Sequence, residues 1–154
     1  MQNPIDKMCA AYETMQSCKE LAKFAEKCEQ DRFEKDLETF ISSAVKPAFA
    51  KINSEFFTPR SIVMSELPEQ QASCGFKVED FPGYEFLFWI KFGGKNGRIP
   101  IPRALRREIG PFAGGTSVST QFFVPKPDYD LTDINKDIIV RAVADAYANS
   151  LPKI

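Results

Sequence analysis

Apolar side chains recur at helical spacing through the N-terminal third of the chain. Asn3-Pro4-Ile5-Asp6 is typical of a helix start, because asparagine caps free amides, proline fits the first turn and an acid favours the helix dipole. Two groups of apolar residues follow, on faces rotated from each other: Ile5, Met8, Cys9, Tyr12 and Met15, then Cys18, Leu21, Ala25 and Cys28. This pattern predicts a helix that either contacts two partners along its length or bends near residues 16–20.

A second helix is predicted to begin near Asp31, because Asp31-Arg-Phe-Glu34 resembles a capping box. Its apolar stripe is the clearest periodic signal in the chain and comprises Phe33, Leu37, Phe40, Ile41, Ala44, Val45, Ala48 and Ile52. Pro47 interrupts the stripe, and a proline inside a helix costs about 3 kcal/mol through a lost hydrogen bond and crowding of the previous turn. Because the stripe continues in phase to Phe56, we predict a kink at Pro47 rather than a new helix starting there.

Beyond Pro59 the apolar spacing becomes alternate, which is typical of strands. A short strand is predicted at 61–65, another around residues 76–78, and a central strand at 84–92, because both faces of that segment are largely apolar. Gly93-Gly-Lys-Asn-Gly97 predicts a hairpin connection, since Asn-Gly supplies the positive φ that such turns need. Alternate prolines in the segment that follows restrict it to an edge strand.

The C-terminal third is predicted to hold a short helix at Arg103–Ile109, a strand at residues 118–124 and a last helix from about Thr132. We therefore predict an α+β fold. It has two N-terminal helices, the second kinked at Pro47, an antiparallel sheet of four to five strands with a short helical excursion, and a C-terminal helix packed on the sheet. The 154 residues are most simply one domain, spanning 1–154.

Charge is segregated within a chain whose formal net charge is only −1. Residues 86–126 contain seven basic side chains and a single acid, Glu108, beside the most aromatic part of the sequence. We take as a candidate basic and aromatic binding patch the residues Trp89, Lys91, Lys95, Arg98, Arg103, Arg106 and Arg107. Such a patch suits a phosphate backbone with stacked bases. The pI of about 5.6 favours the other interpretation, in which these charges pair with the acidic N-terminal helices.

The sequence excludes several catalytic arrangements. It contains no histidine, which removes Ser–His–Asp and Cys–His nucleophile systems. Its four cysteines include no CxxC pair and no spacing typical of zinc, so we predict free, buried thiols. Cys74, next to Gly75, is the only exposed-looking nucleophile, although a small residue at a strand start is the favoured interpretation.

Two groups of charged residues bear on metal binding. Asp80 and Lys91 supply two of the three groups of a restriction-type nuclease, but Trp89 stands where the second acid belongs. Asp128, Asp130 and Asp133 lack the glycine and terminal glutamate of a calcium loop, so we predict that they cap the last helix. No metal and no cofactor are expected.

These observations predict a non-catalytic binding or assembly protein that associates with another protein, including a second copy as a homodimer. The alternative is a nucleic-acid or anionic-ligand binder that uses the basic 91–107 segment, and an enzyme ranks third. A further alternative is a groove between the sheet and the kinked helix that binds a small ligand, although a solid phenylalanine-rich core is favoured. No apolar run is long enough to span a membrane and no signal peptide is recognised, so we expect a cytoplasmic, microbial protein.

Overall fold

The computed structural model describes residues 3–68, 74–94, 97–109, 118–120, 122–126 and 128–151. The chain divides into two compact units, Met1–Asp36 and Leu37–Ile154. The α+β class is confirmed: a long N-terminal helix, an antiparallel sheet and a C-terminal helix are all present. The single domain predicted for residues 1–154 stays a prediction.

The described part of the first unit consists of helix α1 (Pro4–Phe40), whose last turn belongs to the second unit. The predicted helix start is confirmed, because the Asn3 Oδ1 accepts a hydrogen bond from the Ile5 N–H at 3.1 Å. A second helix was predicted to begin near Asp31, but α1 continues through this position without a break. No glycine or proline occurs between Pro4 and Pro47, so the charged residues around Asp31 simply continue α1.

An irregular helical segment follows and carries the predicted apolar stripe into the core. It comprises a π-helical turn at Ile41–Val45, helix α2 (Lys46–Ile52), a second π-helical turn at Asn53–Phe57 and a 3-10 turn at Thr58–Arg60. The stripe residues Phe40, Ala44, Ala48 and Ile52 are buried.

The structure accommodates Pro47 through this π-helical turn. The Lys46 N–H bonds to the carbonyl of Ile41, five residues back, which widens the turn just before the proline. Pro47 then stands at the start of α2, where its missing N–H leaves no hydrogen bond broken. The predicted kink is therefore replaced by a widened turn and a new α-helical segment.

The sheet contains five described strands: β1 (Met64–Glu66), β2 (Gly75–Phe81), β3 (Tyr84–Gly93), β4 (Ile99–Glu108) and β5 (Val118–Thr120). They pair antiparallel in chain order, and β3 is the central strand, as predicted. The hairpin between β3 and β4 is also confirmed, with φ values of 75° at Gly94 and 66° at Gly97. The predicted strand at 118–124 is shorter than expected, because residues 122–126 bend away from it.

The residues predicted as the short helix Arg103–Ile109 instead form most of β4. This strand pairs with β3 over ten consecutive positions, from Tyr84 opposite Glu108 to Gly93 opposite Ile99. Alanine, leucine and arginine are good helix formers, but intrinsic propensity is a weak preference, and pairing with a long neighbouring strand overrides it here.

β4 also lies inside the sheet rather than at its edge, although its prolines keep their usual restriction. The Ile90 N–H donates to the carbonyl of Cys74, just before β2, so Ile90 and its partner Pro102 form a non-hydrogen-bonded pair in the β3–β4 ladder. The missing N–H of Pro102 therefore points away from β3. Among the described residues, β5 pairs only with Arg103–Leu105, so the Pro102 position of β4 is not paired on the side away from β3.

One face of the sheet packs against the helices of the second unit, and we call it the helix-covered face. Phe76, Phe86 and Phe88 are fully buried there. Phe49 of α2 lies 4.9 Å from Phe76 between ring centroids, and Tyr147 lies 5.1 Å from Phe86. Tyr147 belongs to helix α3 (Lys136–Ser150), so the predicted packing of the C-terminal helix on the sheet is confirmed.

Helix α3 begins later than the predicted Thr132. Residues Leu131–Asp133 form a separate 3-10 turn, and Asn135 caps α3 by accepting a hydrogen bond from the Ile138 N–H at 3.0 Å. Within the described ranges, no helix combines the length and apolar character needed to cross a lipid bilayer.

Candidate functional site

The basic patch predicted from the sequence is divided between two faces of the sheet. Alternation along β4 directs Arg106 to the helix-covered face and sends Arg103 and Arg107 to the opposite face. Trp89 and Lys91 of β3 share that opposite face, and Trp89 pairs directly with Arg103. Lys95 lies outside the described residues.

Arg106 forms a buried ion pair with Asp80, which sequence spacing alone did not associate with it. Its two terminal nitrogens donate to the two Asp80 carboxylate oxygens at 2.8 and 2.7 Å. The Tyr147 hydroxyl donates to the same carboxylate at 2.7 Å, and the Arg106 Nε donates to the Ser150 hydroxyl at 3.2 Å. Every one of these partners comes from β2, β4 or α3, so the cluster joins the sheet to the C-terminal helix.

The pKa values in this cluster reflect burial and pairing. Burial raises the pKa of Asp80, but hydrogen bonds from Arg106 and Tyr147 outweigh that effect and hold the pKa below its ordinary value. Burial, together with the hydrogen bond to Asp80, raises the pKa of Tyr147 to about 12. Asp80 is therefore an ionised structural partner of Arg106, which leaves it poorly placed for the metal role considered from the sequence.

Arg98, immediately before β4, forms a second ion pair. Its Nε donates to Asp130 Oδ1 at 2.7 Å and a terminal nitrogen donates to Oδ2 at 3.0 Å. The hydrogen bond from Arg98 lowers the pKa of Asp130 to about 2. Asp130 also caps the 3-10 turn at Leu131–Asp133 rather than the last helix that was predicted.

We expect Asp130→Asn to reduce the loss of stability in acid. The folded-state pKa of Asp130 lies below the ordinary 3.8, so the ion pair stabilises the fold fully above about pH 4. That stabilisation disappears as the pH falls towards 2, because the unfolded chain takes up the proton first. Solvent screening limits the effect to about 1 kcal/mol. Urea unfolding from pH 6 to 2 measures the free energy of unfolding of the wild type and of Asp130→Asn, and identical pH profiles for the two proteins would contradict the prediction.

The opposite face of the sheet holds the remaining basic side chains. The Arg107 Nε donates to the Glu85 carboxylate through a short hydrogen bond. Arg103 is only partly exposed, and its buried Nε has no hydrogen-bond partner among the described residues. Lys91 is exposed and forms no ion pair within the same part of the chain.

The basic segment is thus largely neutralised within the second unit. Arg98, Arg106 and Arg107 pair with acids from β2, β3 and the 130 region. The sequence had suggested acids of the N-terminal helices as the partners. Of the patch residues that the structure describes, Trp89, Lys91 and Arg103 remain outside these ion pairs.

The space between the sheet and the helical segment, where a small-ligand groove was the less favoured alternative, is filled by aromatic rings. Phe49 packs edge-on against Phe76 and Phe88, and Phe57 packs against Phe76. This is the phenylalanine-rich core that the sequence favoured.

A cavity of about 390 Å³ lies elsewhere in the second unit, between the sheet and α3. Phe88 and Ala104 line it from the sheet, Ala142 and Ala146 line it from α3, and the segment 122–125 forms the opposite wall. Arg141 and Asp145 of α3 also line it, and both are exposed. Arg103 borders the cavity, although strand alternation carries its side chain towards the opposite face of the sheet.

Sequence reasoning missed this cavity and its two charged residues. A usable signal was present, because Arg141 and Asp145 stand one helical turn apart beside the apolar positions Ile138, Ala142 and Ala146. What the sequence did not show is that Ala104 and residues 122–125, from distant elements, lie opposite that helix face.

The cysteines differ from the predicted set of buried thiols. Cys9, Cys18 and Cys28 are exposed on α1, because no other described element lies within that unit. Cys74 is buried, with an exposed fraction of 2%, so it does not fit the role of an accessible nucleophile. In the ranges that the structure describes, no three Cys, Asp or Glu side chains are grouped as metal ligands.

The first unit presents its apolar side chains to solvent. Between residues 3 and 36, every residue except Gln16, Phe33 and Asp36 is exposed. The exposed apolar side chains include Ile5, Met8, Tyr12, Met15, Leu21 and Phe24, whose exposed fractions range from 58% to 71%. Ile5, Met8, Tyr12 and Met15 belong to the first face that the sequence pattern indicated, and Leu21 belongs to the second; Phe24 was in neither predicted face.

Comparison with known proteins identifies no relative. No protein-family model, curated protein or solved structure matches this chain significantly.

Proposed function

We propose that this protein acts by assembly, through association of its N-terminal helix α1 with α1 of a second copy. The observation that carries the proposal is the exposure of large apolar side chains along the first unit, such as Met8 at 71% and Leu21 at 67%. Soluble proteins rarely leave contiguous apolar surface uncovered, and such surface marks interaction sites.

The first unit cannot bury these side chains by itself. Its described part is a single helix, and isolated helices owe little of their stability to propensity alone. Most of a helix's stability in a protein comes from packing an apolar face against a partner. A second copy supplies a matching helix, and a two-fold dimer is the commonest closed assembly.

Charge along the helix is compatible with self-association. Residues 4–36 contain six basic and eight acidic side chains, so the net charge of this segment is only −2. Two copies therefore approach without strong repulsion, and the charges flanking the apolar faces offer pairs of both signs. The cytoplasmic location is part of this proposal, since the exposed thiols of α1 suit a reducing compartment.

Sedimentation equilibrium at micromolar concentration tests the proposal. Wild-type protein is expected to have twice the 17.4 kDa mass of one chain. Leu21→Glu with Phe24→Glu, or Met8→Glu with Tyr12→Glu, is expected to weaken association on the order of 100-fold, because each pair buries two unpaired charges. A wild-type mass of one chain would contradict the proposal.

Lys27→Glu is the matched control. It changes the net charge by the same two units at an exposed position away from the Cys18–Cys28 apolar face. The mass of this variant is expected to remain that of the wild type. Dissociation of the control as readily as of the two double variants would indicate a purely electrostatic effect and remove the apolar faces from the interface.

A second candidate function is binding of nucleic acid or another anion on the face that carries Trp89, Lys91 and Arg103. One observation favours it: the buried Arg103 Nε has no hydrogen-bond partner among the described residues. Oligonucleotide binding that falls steeply between about 50 and 200 mM salt, with quenching of Trp89, separates it from self-association.

A further inference from the structure

The cavity between the sheet and α3 is held open by the fold. Its lining positions Ala104, Ala142 and Ala146 are small, so neither the sheet nor the helix fills the space between them. Protein interiors are ordinarily close-packed, and a cavity of about 390 Å³ lies within the range of about 300–1,000 Å³ typical of small-molecule sites.

A buried tyrosine fixes the outer wall of this cavity. The Tyr129 hydroxyl donates to the Pro100 carbonyl of β4 and accepts a hydrogen bond from the Phe123 N–H at 3.1 Å. Tyr129 is 6% exposed, and burial raises its pKa, so the hydroxyl keeps its proton for this bridge. The bridge ties the 122–125 segment to β4 while Phe122, 49% exposed, stays at the cavity's open side.

The charged groups at the cavity define the chemistry of its ligand. Arg141 and Asp145 lie one turn apart on α3, about 5–6 Å between Cβ atoms. Both are exposed, and neither forms an ion pair or a side-chain hydrogen bond within the described part of the chain. A cation and an anion therefore stand together at a cavity whose other charged neighbour, Arg103, extends towards the opposite face of the sheet.

We propose that this cavity binds a small zwitterion with an apolar side group, namely a free apolar α-amino acid. The ligand carboxylate pairs with the Arg141 guanidinium, and the ligand ammonium pairs with the Asp145 carboxylate. The apolar side group enters the space between Phe88, Phe122 and Ala142 and covers the exposed ring of Phe122. This site lies wholly in the second unit and does not depend on association through α1.

Isothermal titration calorimetry with analogues tests each charge separately. L-phenylalanine and L-leucine are expected to bind saturably at millimolar concentration or below, and L-glutamate and L-lysine are not. Phenethylamine lacks the carboxylate and 3-phenylpropionate lacks the ammonium, so each is expected to bind about ten-fold more weakly than L-phenylalanine. Absence of saturable binding by both apolar amino acids at about 10 mM would overturn the proposal.

Substitution of the two exposed charged residues that line the cavity identifies which charge of the ligand each of them binds. Arg141→Gln is expected to weaken L-phenylalanine and 3-phenylpropionate about ten-fold without affecting phenethylamine. Asp145→Asn is expected to weaken L-phenylalanine and phenethylamine instead. If L-phenylalanine binds both variants as tightly as it binds the wild type, the proposed charge recognition is overturned.

Ala142→Leu places a larger side chain in the cavity and is expected to abolish binding of every analogue. Ala144→Leu makes the same change at an exposed position of α3 and serves as the control. Circular dichroism establishes that both variants remain folded. If Ala142→Leu does not fold, the rim variants still decide the proposal; if it folds and binds L-phenylalanine like the wild type, the ligand does not occupy this cavity.

Discussion

Asp80→Ala is expected to lower the free energy of unfolding by about 3–5 kcal/mol, because it leaves the Arg106 guanidinium buried without its counter-charge. The side chains of Arg106 and Asp80 are 9% and 1% exposed. The rings of Phe86 and Tyr147 lie 5.7 and 5.3 Å from the guanidinium carbon, so water cannot readily replace the lost carboxylate. The removal of one partner is therefore costlier than the pair's net contribution.

Replacing both members distinguishes the net contribution of the ion pair from the cost of burying one charge without its partner. Asp80→Leu with Arg106→Met exchanges two buried charges for apolar side chains, and we expect it to recover most of the stability lost in Asp80→Ala. Such a result would mean that the cluster orients α3 on the sheet without adding much net stability. It would also explain why a side chain as polar as Arg106 lies on the helix-covered face.

Glu85→Ala is the matched control for a pair near the surface. It removes the Glu85 carboxylate, whose side chain is 12% exposed, and leaves the Arg107 guanidinium, whose side chain is 44% exposed and can be hydrated, so we expect a loss of about 1 kcal/mol. Urea unfolding, followed by circular dichroism and by the emission of Trp89, measures the free energy of unfolding of Asp80→Ala, of the double variant and of Glu85→Ala against the wild type. If Asp80→Ala were no more destabilising than Glu85→Ala, the buried pair would not have the role that its geometry indicates.

The helical part of the fold could be predicted largely from local spacing. Phe40, Ala44, Ala48 and Ile52 recur with the helical period, and their burial confirms that interpretation. The predicted break at Asp31 failed because a capping motif does not end a helix unless the backbone there leaves the helical region. Pro47 was recognised as an interruption, but the π-helical turn that absorbs it depends on the Ile41 carbonyl one turn earlier.

The β4 strand and the paired arginines could not be predicted in the same way. Arg103, Arg106 and Arg107 have helix-like spacing, and only their pairing with a distant strand makes them extended. That change of conformation also moves Arg106 to the other face of the sheet from its two neighbours. Its partner, Asp80, lies within the irregular pairing between Val78 and Phe81 of β2, which the local sequence pattern does not reveal.

Phe76→Ala is expected to destabilise the fold by about 3–5 kcal/mol, because it opens a cavity at the centre of the aromatic core. Phe76 is 0% exposed, and four phenylalanine rings surround it: Phe49, Phe57, Phe86 and Phe88, with centroids 4.9 to 6.3 Å away. These rings come from α2, the second π-helical turn and β3. The loss therefore weakens contacts between the helices and the sheet as well as within the sheet.

Phe81→Ala removes the same side chain from the other end of β2, where it is 48% exposed, and we expect it to cost much less. Urea unfolding of both variants, with the denaturant slope compared to the wild type, tests this difference. Equal losses would mean that the core collapses around a missing Phe76 ring. A large loss confined to Phe76→Ala would instead establish that the helical segment and the sheet share one rigid core, which is what keeps the alanine-lined cavity beside Phe88 from closing.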